Sequence, residues 1–190
     1  MFLGCGLAAV ASLVMNSSAD PSQLPGRLYV EGFTGKAIVP FLGSEDRRTA
    51  QGVGIGVFLK SPRSFRYRSV RPEILIEGYY HRSTSKGVSG SGPNATDAYG
   101  VLALVRYSFA DRAGTSFYFD WGWGLQYTDM RTIDLSGRLN STPTVGVGLT
   151  FHAGRQELTV GARLMHISDA GLQGNNQGQN QLMLTVGFRF

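Results

Sequence analysis

Three polar residues near the C-terminus, His166, Ser168 and Asn180, are of types that could do chemistry together. A serine beside a histidine is the minimum for nucleophilic acyl transfer. The imidazole takes the hydroxyl proton and later returns it to the leaving group, while a third group orients the ring. Such chemistry calls for neither metal nor cofactor. In a strand, residues two apart share a face, so His166 and Ser168 would project together. Asn180 has the parity of the next apolar row. If the chain turns back after a loop at 169–179, Asn180 is expected nearly opposite Ser168, within reach across adjacent strands. Alone, His-x-Ser is a weak pattern, because a polar pair at the end of a hydrophobic band gives the same string.

The elements that must position these residues read in period two, the strand signature. Val53, Ile55, Val57 and Leu59 alternate with Gly52, Gly54, Gly56 and Phe58. The same alternation carries Ile74, Ile76 and Tyr80, then Tyr99 through Phe109, then Phe117, Phe119, Trp121, Trp123, Leu125 and Tyr127. It continues through Val145–Phe151, Leu158–Leu164 and Leu182–Phe190. A weaker strand near 27–35 brings the expected count to eight. His166 and Ser168 continue the row Leu158, Val160, Ala162, Leu164.

A soluble β-sandwich also alternates, but it turns its apolar face inward. A membrane barrel turns that face to lipid and keeps small and polar residues inside. Strands of about 9–12 residues suit a tilted bilayer crossing. Glycine-rich polar faces with single charges suit the narrow interior of an eight-stranded barrel. The chain also ends on Phe190 within an alternating apolar run, similar to the C-terminal assembly signal of outer-membrane proteins. We therefore expect an all-β fold, an eight-stranded antiparallel transmembrane β-barrel of the outer-membrane type. The connections at 36–50, 82–97, 128–140 and 169–179 would be outer loops, and those near 111–114 and 153–155 short periplasmic turns. Glu73, Glu77, Asp120, Arg71, Arg106, Arg163 and Arg189 would pair across the lumen. Polar groups on a lipid-facing row are costly, which makes His166, Ser168 and Asn180 the residues that need explaining.

Composition agrees. Glycine contributes 26 of 190 residues, about double the usual ~7%, and charged residues reach only 16%. The glycines are spread among aromatic and β-branched residues, which excludes collagen, coiled coil and disorder. One cysteine, Cys5, excludes an intrachain disulfide and a multi-cysteine metal site. Residues 2–15 carry no charge and lead to Ser17-Ser18-Ala19, so 1–19 reads as a signal peptide ahead of a 20–190 barrel domain. A buried N-terminal helix is the alternative.

The string His166-Ile167-Ser168-Asp169-Ala170-Gly171-Leu172, followed by Asn176, Gly178 and Asn180, resembles the C-terminal active-site segment of the outer-membrane lipid A 3-O-deacylase family. The resemblance implies an eight-stranded barrel in the Gram-negative outer membrane with a Ser-His-Glu triad on its outer surface. It implies a serine esterase that removes the 3-position ester-linked acyl chain of lipid A in the outer leaflet. Lipid A, within lipopolysaccharide, would be the substrate. By position, Ser168 would be the nucleophile and His166 the general base, with Gly171 and Asn176 in the oxyanion-stabilising region. Two positions depart from the family: its triad glutamate falls on Asn180, and its asparagine after the serine is Asp169. The alternative is a non-catalytic barrel of the same ancestry that binds lipopolysaccharide or stabilises the membrane.

Other signals carry less. His81 and His152 have inward parity and read as hydrogen-bonding groups of the lumen. Gly52–Gly56 is similar to a nucleotide loop, but no helix follows. The net charge of +5 gathers on the expected outer loops as Lys36, Arg47, Arg48, Arg82, Lys86, Arg131 and Arg138, which could meet lipid A phosphates or be ordinary solvated charge. Nucleic acid is not an expected partner of an exported barrel.

Overall fold

The computed structural model describes residues 27–39, 44–60, 70, 72–87, 94–110, 114–172 and 177–190. The expected signal segment, Arg71 and Asn176 lie outside them. The strands are β1 (Arg27–Ala37), β2 (Arg48–Lys60), β3 (Glu73–Ser85), β4 (Asn94–Ala110), β5 (Thr115–Thr128), β6 (Leu139–Ser141), β7 (Thr144–Ala153), β8 (Gln156–Ile167) and β9 (Gln179–Arg189). Each neighbouring pair is antiparallel, and β1 pairs with both β2 and β9, so the sheet closes on itself. Closure removes every unpaired edge, which a spanning structure in hydrocarbon requires.

The ring holds the eight expected long strands, one of them with an interruption. β5 pairs with β7 over its first half and with the short β6 over its last turn. Pro143 separates β6 from β7. It has no N–H to give a ladder, yet its carbonyl accepts the His166 N–H at 3.0 Å. β1, β7, β8 and β9 run 10 to 12 residues, as expected, whereas β2, β3, β4 and β5 run 13 to 17. Only about 10 residues are needed to cross a bilayer, so the outer ends continue past the hydrocarbon. As a result Asn94–Asp97 and Leu139–Asn140, expected in loops, are strand.

Alternation sorts the side chains as expected. Trp121 and Trp123 are 49% and 53% exposed on the outer wall, in a band with Phe117, Phe119, Leu125 and Tyr127. Inside, arginines meet carboxylates. Arg106 grips Asp120 with two bonds of 2.7 Å, and its guanidinium lies 3.9 Å from the Tyr118 ring centroid and 4.9 Å from that of Phe58. Arg163 reaches Glu31 at 2.5 Å and Glu77 at 3.2 Å, and Arg189 joins Glu73 to Glu157. Glu31, on the weakest strand of the sequence reading, is thus part of the lumen network. The glycine excess leaves room for three inward tyrosines: a Cβ at Gly187, Gly100 or Gly161 would collide with Tyr29, Tyr79 or Tyr118 respectively. Arg48 is not a solvated loop charge. It is buried and bonded to Asp46, Asn94, Thr96 and Ser83.

Two outcomes follow. Lipid-borne quenchers should reach Trp121 and Trp123 in vesicles, whereas quenching by aqueous iodide alone would place them on the wrong side of the sheet. Asp120→Ala should cost about 3–5 kcal/mol, the cost of leaving a buried charge uncompensated, measured by urea unfolding in vesicles.

Candidate active site

β8 climbs the wall with Leu158, Val160, Ala162 and Leu164 outward, His166 extends that row at the outer rim, and Ser168 is the next residue of that parity, one beyond the strand end. The intervening Met165 and Ile167 are buried inside. β8 ends at Ile167, and Ser168 is held by a separate bridge to β6. Its N–H donates to the Ser141 carbonyl at 3.1 Å, and its carbonyl accepts from the Ser141 N–H at 2.7 Å and Oγ at 3.0 Å. The serine backbone is therefore fixed just where the chain leaves the sheet.

Across β8 and β9 the register pairs His166 with Asn180 and Ile167 with Gln179. This corrects the expectation that Asn180 would stand opposite Ser168. Parity fixes a face but not a register, and the true offset brings Asn180 directly beside the imidazole. Asn180 Oδ1 accepts the His166 Nδ1–H at 2.8 Å. That bond holds the proton on Nδ1 and leaves Nε2 with a lone pair, as a general base requires. Asn180 is outward by parity but only 1% exposed, and its carbonyl accepts the Ile38 N–H at 2.8 Å.

Asp169 points the other way. Its carboxylate accepts Ser136 Oγ–H at 3.1 Å and the Gly171 N–H at 2.9 Å. The Leu172 N–H returns to the Asp169 carbonyl at 3.2 Å, with φ of +57° at Ala170 and +78° at Gly171. Two left-handed residues closed by that bond make a tight type I′ turn. A non-glycine residue there is strained by roughly 1–2 kcal/mol, and such strain clusters at functional sites. Gly171 thus stands next to the row, but its N–H is turned toward Asp169. Asn176 lies outside the described residues.

Two further positions carried no role in the sequence reading. Gly178 has φ +76°, and a Cβ there would stand 2.6 Å from Cε1 and 3.1 Å from Nε2 of His166. Pro143 follows the end of β6 and lines the outer wall beside His166. Below His166 an open depression of about 280 Å³ runs across the outer face, lined by Trp121, Val145, Leu164 and Pro143, with Asn180 at the histidine end. Leu164, Val145 and Trp121 are register partners on three adjacent strands. Thr142-Pro143-Thr144 was the visible signal for the break, since proline within an apolar alternation marks an interruption.

A second serine–histidine pair sits at the opposite rim. Ser116 Oγ is 2.8 Å from His152 Nε2, and Glu157 Oε1 is 3.6 Å from His152 Nδ1. That last distance is too long for a hydrogen bond, and Glu157 is already paired with Arg27 and Arg189. Ser116 is 5% exposed. His81 likewise bonds Gln126 at 3.0 Å and stacks on Tyr79. His81 is buried in the lumen, as its parity indicates, whereas His152, although it bonds the inward Ser116, is exposed at the rim.

The profile of the family described as lipid A 3-O-deacylase (PagL) matches residues 51–189. The crystal structure of the outer membrane enzyme PagL superposes with a TM-score of 0.63 at 18% identity, over 84% of this chain and 97% of that one. The crystal structure of Neisserial surface protein A (NspA) gives 0.54 at 14% identity, over 87% of this chain and 96% of that one. These two likenesses carry the barrel fold. No curated protein sequence is a significant match.

A fluorophosphonate probe, which reacts with an activated serine, should label Ser168 and spare Ser116. The check is peptide mass mapping of the labelled, folded protein, and label retained in Ser168→Ala but lost in Ser116→Ala would reverse the assignment.

Proposed function

The chain belongs to the lipid A 3-O-deacylase family, and from that premise we propose that it is a serine esterase using Ser168, His166 and Asn180 on the outer wall of its barrel. The observation that carries this reading is the 2.8 Å contact from His166 Nδ1 to Asn180 Oδ1, at the rim and on the row that bears Ser168. The apolar depression, lined by His166 and Asn180, gives an acyl chain a lipid-facing approach to the histidine.

The reaction follows from the groups. Ser168 Oγ attacks the ester carbonyl carbon while its proton passes to His166 Nε2. The tetrahedral intermediate collapses with cleavage of the bond to the sugar 3-oxygen, which takes the proton from the imidazolium. Water then attacks the acyl-serine, His166 again accepting a proton, and releases the fatty acid and free Ser168. Asn180 keeps the ring in the required tautomer but brings no negative charge to the imidazolium. By resemblance, Gly171 and Asn176 form the region that stabilises the oxyanion. With the Gly171 N–H bonded to Asp169, stabilisation from that turn rests on a shift of the turn or on Asn176. The lipid A in question is that of the outer leaflet, which the outer rim faces.

Mass spectrometry of lipid A from cells with and without the protein tests the reading. Loss of one ester-linked hydroxyacyl mass, abolished by Ser168→Ala, is the expected result. An unchanged spectrum with the barrel folded in the membrane would favour a non-catalytic barrel that binds lipopolysaccharide or stabilises the membrane. Asn180→Glu should raise kcat by about 10- to 100-fold, because a carboxylate stabilises the imidazolium that forms in the transition state. No rise, together with loss of activity in Asp169→Asn, would make Asp169 the orienting group instead.

A further inference from the structure

We infer that Asp134 is a positioning residue for His166, acting through Gly178, and that the connection between β1 and β2 thereby holds the general base in place. This rests on the assignment of His166 as that base. The connection from β5 to β6 folds back over the barrel mouth. Leu135 joins the buried cluster that contains Met165 and Ile167, the residues flanking His166 on β8. Beside it, Asp134 is fully buried, an unusual place for a carboxylate. Its two oxygens accept three hydrogen bonds from one short stretch: Ser44 Oγ–H at 3.0 Å, the Glu45 N–H at 2.9 Å and the Asp46 N–H at 3.0 Å. Asp46 is itself locked to Arg48 at 2.7 Å and to Ser85.

The backbone carbonyl of Asp134 accepts the Gly178 N–H at 3.1 Å. Gly178 is the glycine whose Cα faces the Cε1–Nε2 edge of the imidazole, in a left-handed conformation with no room for a Cβ. The ring is therefore bounded twice. Asn180 fixes the Nδ1 side, and Gly178 fixes how far the basic Nε2 edge can swing. Asn180 sets the tautomer, whereas Gly178 sets the position of the nitrogen that must meet the serine proton. Displacing a reacting group by about 1 Å can cost about 100-fold.

The test measures kcat and KM for lipid A release in vesicles, and the rate of fluorophosphonate labelling of Ser168, each per folded barrel as judged by heat-modifiable gel mobility. Gly178→Ala should lower kcat and the labelling rate by about 100-fold, with KM within about twofold. Asp134→Ala should lower both rates by about tenfold, and Asp134→Asn, which keeps one acceptor oxygen, should recover part of the loss. Ser44→Ala removes one of the three bonds without exposing a charge and should give a smaller loss of the same kind. If the two residues act in one chain of contacts, Gly178→Ala combined with Asp134→Ala should be no slower than Gly178→Ala alone. Wild-type rates in folded Asp134→Ala and Ser44→Ala, or losses that multiply in the double variant, would overturn the inference. If instead Ser168→Ala retains hydrolysis, the underlying site assignment is what fails.

Discussion

Eight strands closed in lipid leave a lumen just wide enough for side chains, with no bulk water to solvate them. The charged groups that the alternation turns inward find their partners among other side chains, and the rest of the interior follows from that. Arginine is suited to the task because its planar fork binds a carboxylate bidentately and its flat faces stack on rings. Arg106 does both, between Asp120, Tyr118 and Phe58. Arg163 spans to two glutamates from different strands and so ties β8 to β1 and β3 across the barrel. Side chains this large fit only because glycines elsewhere on the inner face leave the tyrosines room.

The same constraint explains why the candidate site lies where it does. A nucleophile inside the lumen would be shut away from an acyl chain in the membrane, and a polar triad at mid-bilayer would face hydrocarbon. The rim resolves the conflict. There the outward row passes from Leu164 to His166 and Ser168, and the ladder of the neighbouring strand is broken at Pro143. The proline interrupts the strand without shifting its register: the His166 N–H still bonds the Pro143 carbonyl, and Ser141 still exchanges backbone bonds with Ser168. Rigid barrel strands thus present the histidine, while the serine sits on the first residue beyond regular pairing.

Much of this was legible in the sequence because period two is a local signal. Each residue's face could be read from its neighbours, so the inward Arg106, Asp120 and Arg163 and the outward His166 were identified. Register is not local. The partner of His166 depends on how the 169–179 turn closes, and the offset that puts Asn180 beside His166 has no counterpart in alternation. Nor does the folding of 129–138 over the barrel mouth. Asp134 falls in the 128–140 stretch expected as an outer loop, where no period marks a buried residue, and its burial depends on N–H groups some ninety residues away. Arg48 misled for the same reason: a cation at a strand end reads as solvated until Asp46, Ser83 and Thr96 are seen around it.

The neutral residue at position 180 then makes physical sense as a balance. Asn180 is covered by protein at a rim that borders lipid. An ionised carboxylate there would be desolvated in the resting enzyme, when the imidazole is neutral and offers no charge to offset it. The amide avoids that cost while holding the ring through the oxygen it directs at Nδ1. The orientation of the amide matters as much as its presence. With its NH2 toward the ring, the proton would sit on Nε2 and the base proposed for Ser168 would be lost. In the proposed reaction, what the amide forgoes is stabilisation of the imidazolium in the transition state. A site built this way depends more heavily on the placement of the ring, which gives weight to the close approach of Gly178 on its other edge.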